Sequence, residues 1–347
     1  MNWIRVGIIN IVVLIGILLS IELISAAFYF YKTATVSNTF STVWLIKGVA
    51  RKIDRFIALS SIEGGERPRY NADSILIYPK SPNEEAFGKY LFKEYEKEFL
   101  ALSNKLKKSG IPFWILWLPT NKKTDINNFY LRYFETLATK HKLKFISGKE
   151  LLDIPREYIF LEPYNGHLTR YANLLISNLL ASELKKEEIV KKNSFKCTNI
   201  RGMFGVNKNE LWPIITEVPY LMTTDEFGFR SSLPKQRASK KKPTILIAGD
   251  SFTFGPYLSS YDTYPAHLAR KLNSFNIING GVSSFSLRSE RALIEQNLEC
   301  LNPSIVILQV LDNDIPGMAV AKYNGYNFKG EILKIPDVEK KFYEGLR

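Results

Sequence analysis

The sequence predicts an α/β fold of three layers, a parallel sheet between two sets of helices. Two observations carry this prediction. Apolar runs of strand length recur along the chain with helix-length gaps between them, which is the pattern of βαβ units. The run at residues 244–248 then breaks sharply at Gly249, Asp250 and Ser251 before a helix pattern from Thr263. A serine at the carboxyl end of a parallel strand stands where open α/β sheets hold their ligands, and glycine permits the abrupt turn.

Taken in order, residues 6–31 are almost wholly apolar and exceed the roughly 20 residues that cross a bilayer. Trp3 at one end and Phe28, Tyr29, Phe30 and Tyr31 at the other suit the two interfaces. The run is too long for a signal-peptide core, so residues 1–32 are expected to be an uncleaved single-pass anchor. Cleavage at Ser25, Ala26 and Ala27 is the alternative. Glu22 inside the span faces a partner helix or reaches the interface. Only Arg5 precedes the span, whereas Lys32, Lys47, Arg51 and Lys52 follow it, a distribution that favours a cytoplasmic domain.

Residues 33–85 read as a juxtamembrane arm. Within 86–184 the pattern gives a helix to residue 108, a strand at 112–118, a helix at 129–141, a strand at 143–146 and a helix after His167. Residues 185–243 read as an insert bounded by Lys185, Lys186, Lys191 and Lys192 on one side and Lys240, Lys241 and Lys242 on the other. Short strands are expected around Trp212 within it. In residues 244–347, strands at 245–248, 275–278 and 305–311 end respectively at Asp250-Ser251, at Asn279-Gly280-Gly281, and at Asp312-Asn313-Asp314. All three polar ends fall on one edge of a parallel sheet.

The formal net charge of +13 attracts an anionic partner. No basic-aromatic module points to nucleic acid, so anionic lipid headgroups or an acidic polysaccharide suit the chain better. Neither a P-loop nor a dinucleotide fingerprint is present, and no cofactor or metal is expected. The two cysteines, Cys197 and Cys300, match no zinc spacing; whether they form a disulfide stays open.

The three strand ends, in that order, resemble the Gly-Asp-Ser, Asn-x-Gly and Gly-x-Asn-Asp blocks of the SGNH (GDSL-type) esterase and acyltransferase superfamily. Residues 225–230, from Asp225 to Arg230, resemble the lead-in that many of its members carry. The resemblance implies a flavodoxin-like sandwich with a five-strand parallel sheet, and Ser251 as nucleophile. It also implies an oxyanion hole of the Ser251 N–H, the Gly281 N–H and the Asn313 side chain, with Asp250 and Asp314 in support. Such a hole is aimed at charge that develops on the attacked carbonyl. Leu311 departs from the pattern, since the superfamily has glycine there.

A serine needs a base. No histidine follows Asp314, and the chain has three: His141, His167 and His267. His141 reads as part of a solvated helix end and His267 as a surface or interface residue. His167, in the run Asn165-Gly166-His167-Leu168-Thr169 before a helix, resembles the superfamily's histidine block and is the expected base. The aspartate of that block is Asn165 here. An amide orients an imidazole but supplies no charge; Glu162 is the candidate substitute acid.

The histidine block precedes the serine, so residues 86–184 look like the second half of the domain and 244–347 like its first. This order resembles the membrane-anchored, circularly permuted alginate O-acetyltransferase family of bacterial envelope proteins. That likeness implies a periplasmic domain on the inner membrane, an acyl-ester or carbohydrate substrate, and a multi-pass acyltransferase partner. It opposes the orientation that flanking charge favours. Two alternatives stand: a catalytically weakened glycan-binding or scaffold subunit, and a fragment of a longer hydrolase in which residues 87–184 belong to a first, partial domain and the histidine serving Ser251 lies beyond residue 347.

Overall fold

The computed structural model describes residues 72–161, 166–189, 211–214, 220–231 and 241–319, with isolated positions besides. The expected membrane anchor, most of the arm, Glu162, Asn165 and Cys197 lie outside the described residues. No helix among those described is long and apolar enough to cross a membrane.

After a short helix α1 (Ala72–Ile77), α2 spans Pro82–Lys108. It begins four residues before the apolar pattern does. Ser81 caps it, its Oγ accepting the Glu84 N–H, and Pro82 supplies a preset first turn. Phe87, Leu91, Tyr95, Phe99, Leu102 and Leu106 form its buried stripe. β1 (Phe113–Trp117) leads to α3 (Thr124–Lys140), which also starts earlier than its hydrophobic period. The cause is Asn127, a buried polar residue that hydropathy cannot flag. Its Oδ1 accepts the Thr120 N–H at 2.9 Å and its Nδ2 donates to the Thr120 carbonyl at 3.1 Å, folding the loop onto the helix start.

β2 (Lys144–Ser147) is followed by a one-turn helix α4 (Arg156–Ile159) and by α5 (Arg170–Lys185), capped by Thr169. In the insert, β3 (Leu211–Ile214) and β4 (Tyr220–Thr223) pair antiparallel. The last segment runs β5 (Thr244–Gly249), α6 (Ser251–Phe254), α7 (Tyr264–Lys271), β6 (Asn276–Gly281), α8 (Leu287–Leu301) and β7 (Ile305–Val310).

The main sheet has five strands in the order β2-β1-β7-β5-β6, every pair parallel. β7 pairs with β1 on one side and β5 on the other, so residues 113–147 and 244–310 build one sheet. Among the described residues, 86–184 form no separate sheet of their own. Counted from β5 as first strand, the order becomes 2-1-3-4-5, the flavodoxin-like arrangement whose switch point lies between the first and third strands. Here those strands are β5 and β7.

Alternating side chains feed two cores. Ile115, Trp117, Leu246, Ala248, Val306 and Leu308 face α2, α3 and α8. Trp114, Leu116, Ile245, Ile247, Ile305 and Ile307 face α5 and α7. Buried strands of this kind read as continuous apolar runs because both faces are covered. Cys300, on α8, is disulfide-bonded, and its carbonyl accepts the Lys196 N–H at 2.8 Å.

Candidate active site

β5 is buried along its whole length and delivers Gly249 and Asp250 to the carboxyl edge of the sheet. A Cβ on Gly249 would lie 2.3 Å from Thr253 Oγ1 and 2.5 Å from Gln309 Oε1, so no larger residue fits the turn. Asp250 caps α6, its Oδ1 accepting the Phe252 N–H at 2.9 Å. Gly255 ends the helix in the left-handed region at φ 77°. Ser251 opens this single turn and is half-buried.

Ser251 and Asn313 meet at one atom. Asp250 Oδ2 accepts Ser251 Oγ–H at 3.4 Å and Asn313 Nδ2–H at 3.0 Å. Asn313 follows β7 and Ser251 follows β5, so the pair sits over the switch point of the sheet. Burial raises the Asp250 pKa; hydrogen bonds from the Phe252 N–H, Asn313 and the Ser251 N–H oppose the rise, and the Asp312 charge adds to it.

His167 is half-buried and its ring stands against Phe252 and Tyr257, each with centroids 5.7 Å away. Phe252 is the residue after Ser251, so the fold carries the histidine block to the serine turn from the other end of the sheet. The segment is held by a bridge between Phe160 and Leu168 and by the Leu161 N–H donating to the His167 carbonyl at 2.9 Å. Loss of solvent lowers the His167 pKa from its ordinary 6.5.

Gly281 sits directly beneath α6, where a Cβ would lie 2.3 Å from the Phe254 nitrogen and 2.5 Å from the Thr253 carbonyl carbon. Its N–H, expected in the oxyanion hole, is donated to Asn279 Oδ1 at 3.0 Å. The Asn279 side chain folds back over the strand end, and its Nδ2 donates to the Thr253 carbonyl at 3.1 Å. Asp314 caps the turn after β7, its Oδ2 accepting the Leu311 N–H at 2.8 Å. Leu311 is buried and is not among the residues with positive φ, so nothing at this turn demands the glycine that the superfamily has there.

Asp312, beside Asn313, accepts Thr120 Oγ1–H at 3.0 Å and pairs with Lys122 Nζ at 2.6 Å, tying the β1 loop to the β7 loop. His267, read as a surface or interface residue, is 8 % exposed and lies beside Arg270, whose Nη2 is 2.6 Å from its Nδ1. Tyr257, the aromatic wall of His167, gave no signal in the sequence. Its φ of +65° is unusual for a residue with a side chain.

No protein-family profile matches the chain, and no curated protein matches it. Solved structures similar to it include the O-acetyltransferase domain of Pseudomonas putida AlgJ, at 11% identity and TM-score 0.45, over 70% of this chain and 88% of that one. Pseudomonas aeruginosa AlgX shares 15% identity at TM-score 0.41, over 67% and 59% of the two chains. Bacillus cereus PatB1 shares 14% at TM-score 0.36, over 65% and 90%.

Proposed function

We propose that this chain is a serine acyl-transfer enzyme of the SGNH kind, in circularly permuted order. Ser251 is its nucleophile and His167 its base. The observation that carries the reading is the convergence of Ser251 Oγ and Asn313 Nδ2 on Asp250 Oδ2. A hydroxyl and a side-chain N–H donor within reach of one atom are the two parts that acyl chemistry needs side by side.

His167 takes the Ser251 proton as Oγ attacks the acyl carbonyl. The tetrahedral oxyanion is met by the Asn313 amide and the Ser251 N–H as these turn from the Asp250 carboxylate that holds them at rest, and collapse returns the proton to the departing alcohol. A hydroxyl then attacks the acyl-enzyme by the same route in reverse. With water this is an esterase, and with a sugar hydroxyl an O-acyltransferase. Asn165 or Glu162 orients His167. Gly281 supports α6 and joins the hole only if its N–H leaves Asn279.

The acceptor proposed is a cell-envelope carbohydrate, from the sequence resemblance to membrane-anchored envelope acetyltransferases. Residues 1–32 would anchor the chain in the bacterial inner membrane beside a multi-pass acyl donor protein, with the domain outside. The disulfide at Cys300 supports an oxidising compartment.

A fluorophosphonate probe tests the reading. Purified protein should be labelled at one site and Ser251→Ala should not be labelled. Equal labelling of both refutes the assignment. A folded wild-type protein that resists the probe favours the non-catalytic scaffold subunit.

A further inference from the structure

The turn that presents Ser251 is one helical turn long, too short to hold itself together. The carbonyls of Phe254, Gly255 and Leu258 at its end and in the loop after it are buried, and buried carbonyls need donors. Arg230 supplies them. Nη1 donates to the carbonyls of Phe254 and Gly255, each at 2.7 Å, Nη2 to that of Leu258, and Nε to Ser260 Oγ at 3.0 Å. The side chain is 3 % exposed, and the guanidinium lies over the Phe254 ring at 4.6 Å and the Tyr220 ring at 5.3 Å. These four partners are carbonyls and a hydroxyl, not a carboxylate. A charge buried in this way is costly, which fits the fall of its pKa to about 10.

We propose that Arg230 is a positioning residue that sets nucleophile and base together. It grips residues 254–260 from both ends, and Tyr257 between them is held at positive φ with its ring against His167. The same clamp fixes the end of α6, hence the direction of Ser251. Its own backbone is anchored by a bridge to Asn279, which also holds the Thr253 carbonyl. Asp225 fixes the preceding turn by accepting the Phe227 and Phe229 N–H groups at 2.9 and 3.0 Å. The planar fork matters, because an ammonium keeps the charge but cannot reach four oxygens in that spread.

The inference rests on Ser251 being the nucleophile, and the test separates the two ideas. Full-length wild type, Arg230→Lys, Arg230→Ala and Ser260→Ala are compared by fluorophosphonate labelling rate, turnover of a simple acetate ester, and amide hydrogen exchange. Arg230→Lys should stay folded and lose about tenfold to a hundredfold in labelling rate and kcat, with KM little changed. Exchange should quicken at residues 251–260 and not elsewhere. Guanidinium ion should restore part of the rate to Arg230→Ala, which simple destabilisation would not permit. Ser260→Ala removes one ligand of the fork and should show the same loss in milder form; it carries the test if Arg230→Lys does not fold.

Wild-type rates in folded Arg230→Lys overturn the proposal. So does a rate loss that merely follows quickened exchange throughout the domain. If wild type itself is never labelled, the functional reading fails, yet unchanged exchange at 251–260 in Arg230→Lys would still dispose of the clamp.

Discussion

His167 works against its burial. Phe252 and Tyr257 strip water from the ring and lower its pKa below the usual 6.5. In the proposed function His167 is the base and acts in its neutral form, so the rate of Ser251 acylation should rise through a pKa below 6.5 and be flat above it. Tyr257→Ala readmits water and should move that limb upward; a limb that stays in place would show that another group titrates. Gly281 raises a steric question instead. Alanine there drives its Cβ into the backbone of Thr253 and Phe254, which has no flexible end to yield. Gly281→Ala should cut the labelling rate on the order of a hundredfold while circular dichroism stays that of wild type. Wild-type labelling would mean that α6 tolerates displacement.

At the scale of elements, α2 and α8 are joined by ions as well as by apolar packing. Arg288 donates to the Glu94 carboxylate and to the Met318 carbonyl, each at 2.8 Å, and Arg291 reaches Glu98 at 2.7 Å and Glu295 at 2.8 Å. Met318 lies just beyond the Asn313 turn, so Arg288 fastens a helix and a site loop at once. Arg288→Ala leaves the buried Met318 carbonyl without its donor and the half-buried Glu94 carboxylate with only the looser Lys97 pair at 3.6 Å. It should cost about 1–3 kcal/mol, read as a lower urea midpoint at unchanged slope. The Lys89–Glu85 pair is exposed on both sides and screened by water, so Lys89→Ala is the control and should leave the midpoint in place. Equal midpoints for the two variants would remove Arg288 from the stabilising set.

Across the whole molecule, buried carboxyls dominate the response to pH. Burial raises Asp225 to about 7, raises Asp250, and raises Glu290 well above its ordinary range, where Asp314 and Asp250 add to the effect. Each binds its proton more tightly folded than unfolded, so stability falls as pH rises through the window between the two pKa values. His167 and His267, pushed down by burial, act oppositely, but only below the ordinary 6.5. Glu183, held low chiefly by Lys186 and Lys144, loses its contribution only as pH falls below the ordinary 4.5. The thermal midpoint should therefore be a few degrees higher near about pH 6.5 than near about pH 8.5. Asp225→Asn keeps an oxygen for the Phe227 and Phe229 N–H groups and should flatten part of the slope. A midpoint that rises steadily with pH would contradict the burial of these acids.

The sequence by itself determined the five strands of the main sheet, the long helices between them, and which strand ends carry polar residues; the short helices at Ala72–Ile77, Arg156–Ile159 and Ser251–Phe254 are not among its expectations. What it determined are local facts: a period of two or 3.6, a run buried on both faces, a glycine where the chain must turn. It missed the true starts of α2 and α3, because Ser81 and Asn127 work through hydrogen bonds that hydropathy does not register. It marked Ser251, His167, Gly281 and Asn313 by motif, yet not their contacts. Tertiary structure alone decided that Asp250 Oδ2 is shared by Ser251 and Asn313, that Asn279 takes the Gly281 N–H, and that Tyr257 walls His167. The clamp of Arg230 on residues 254–260 belongs to the same class. Each answers a question of which side chain or backbone group a buried group meets, and that is settled by sheet order and crossover in space, among residues far apart along the chain.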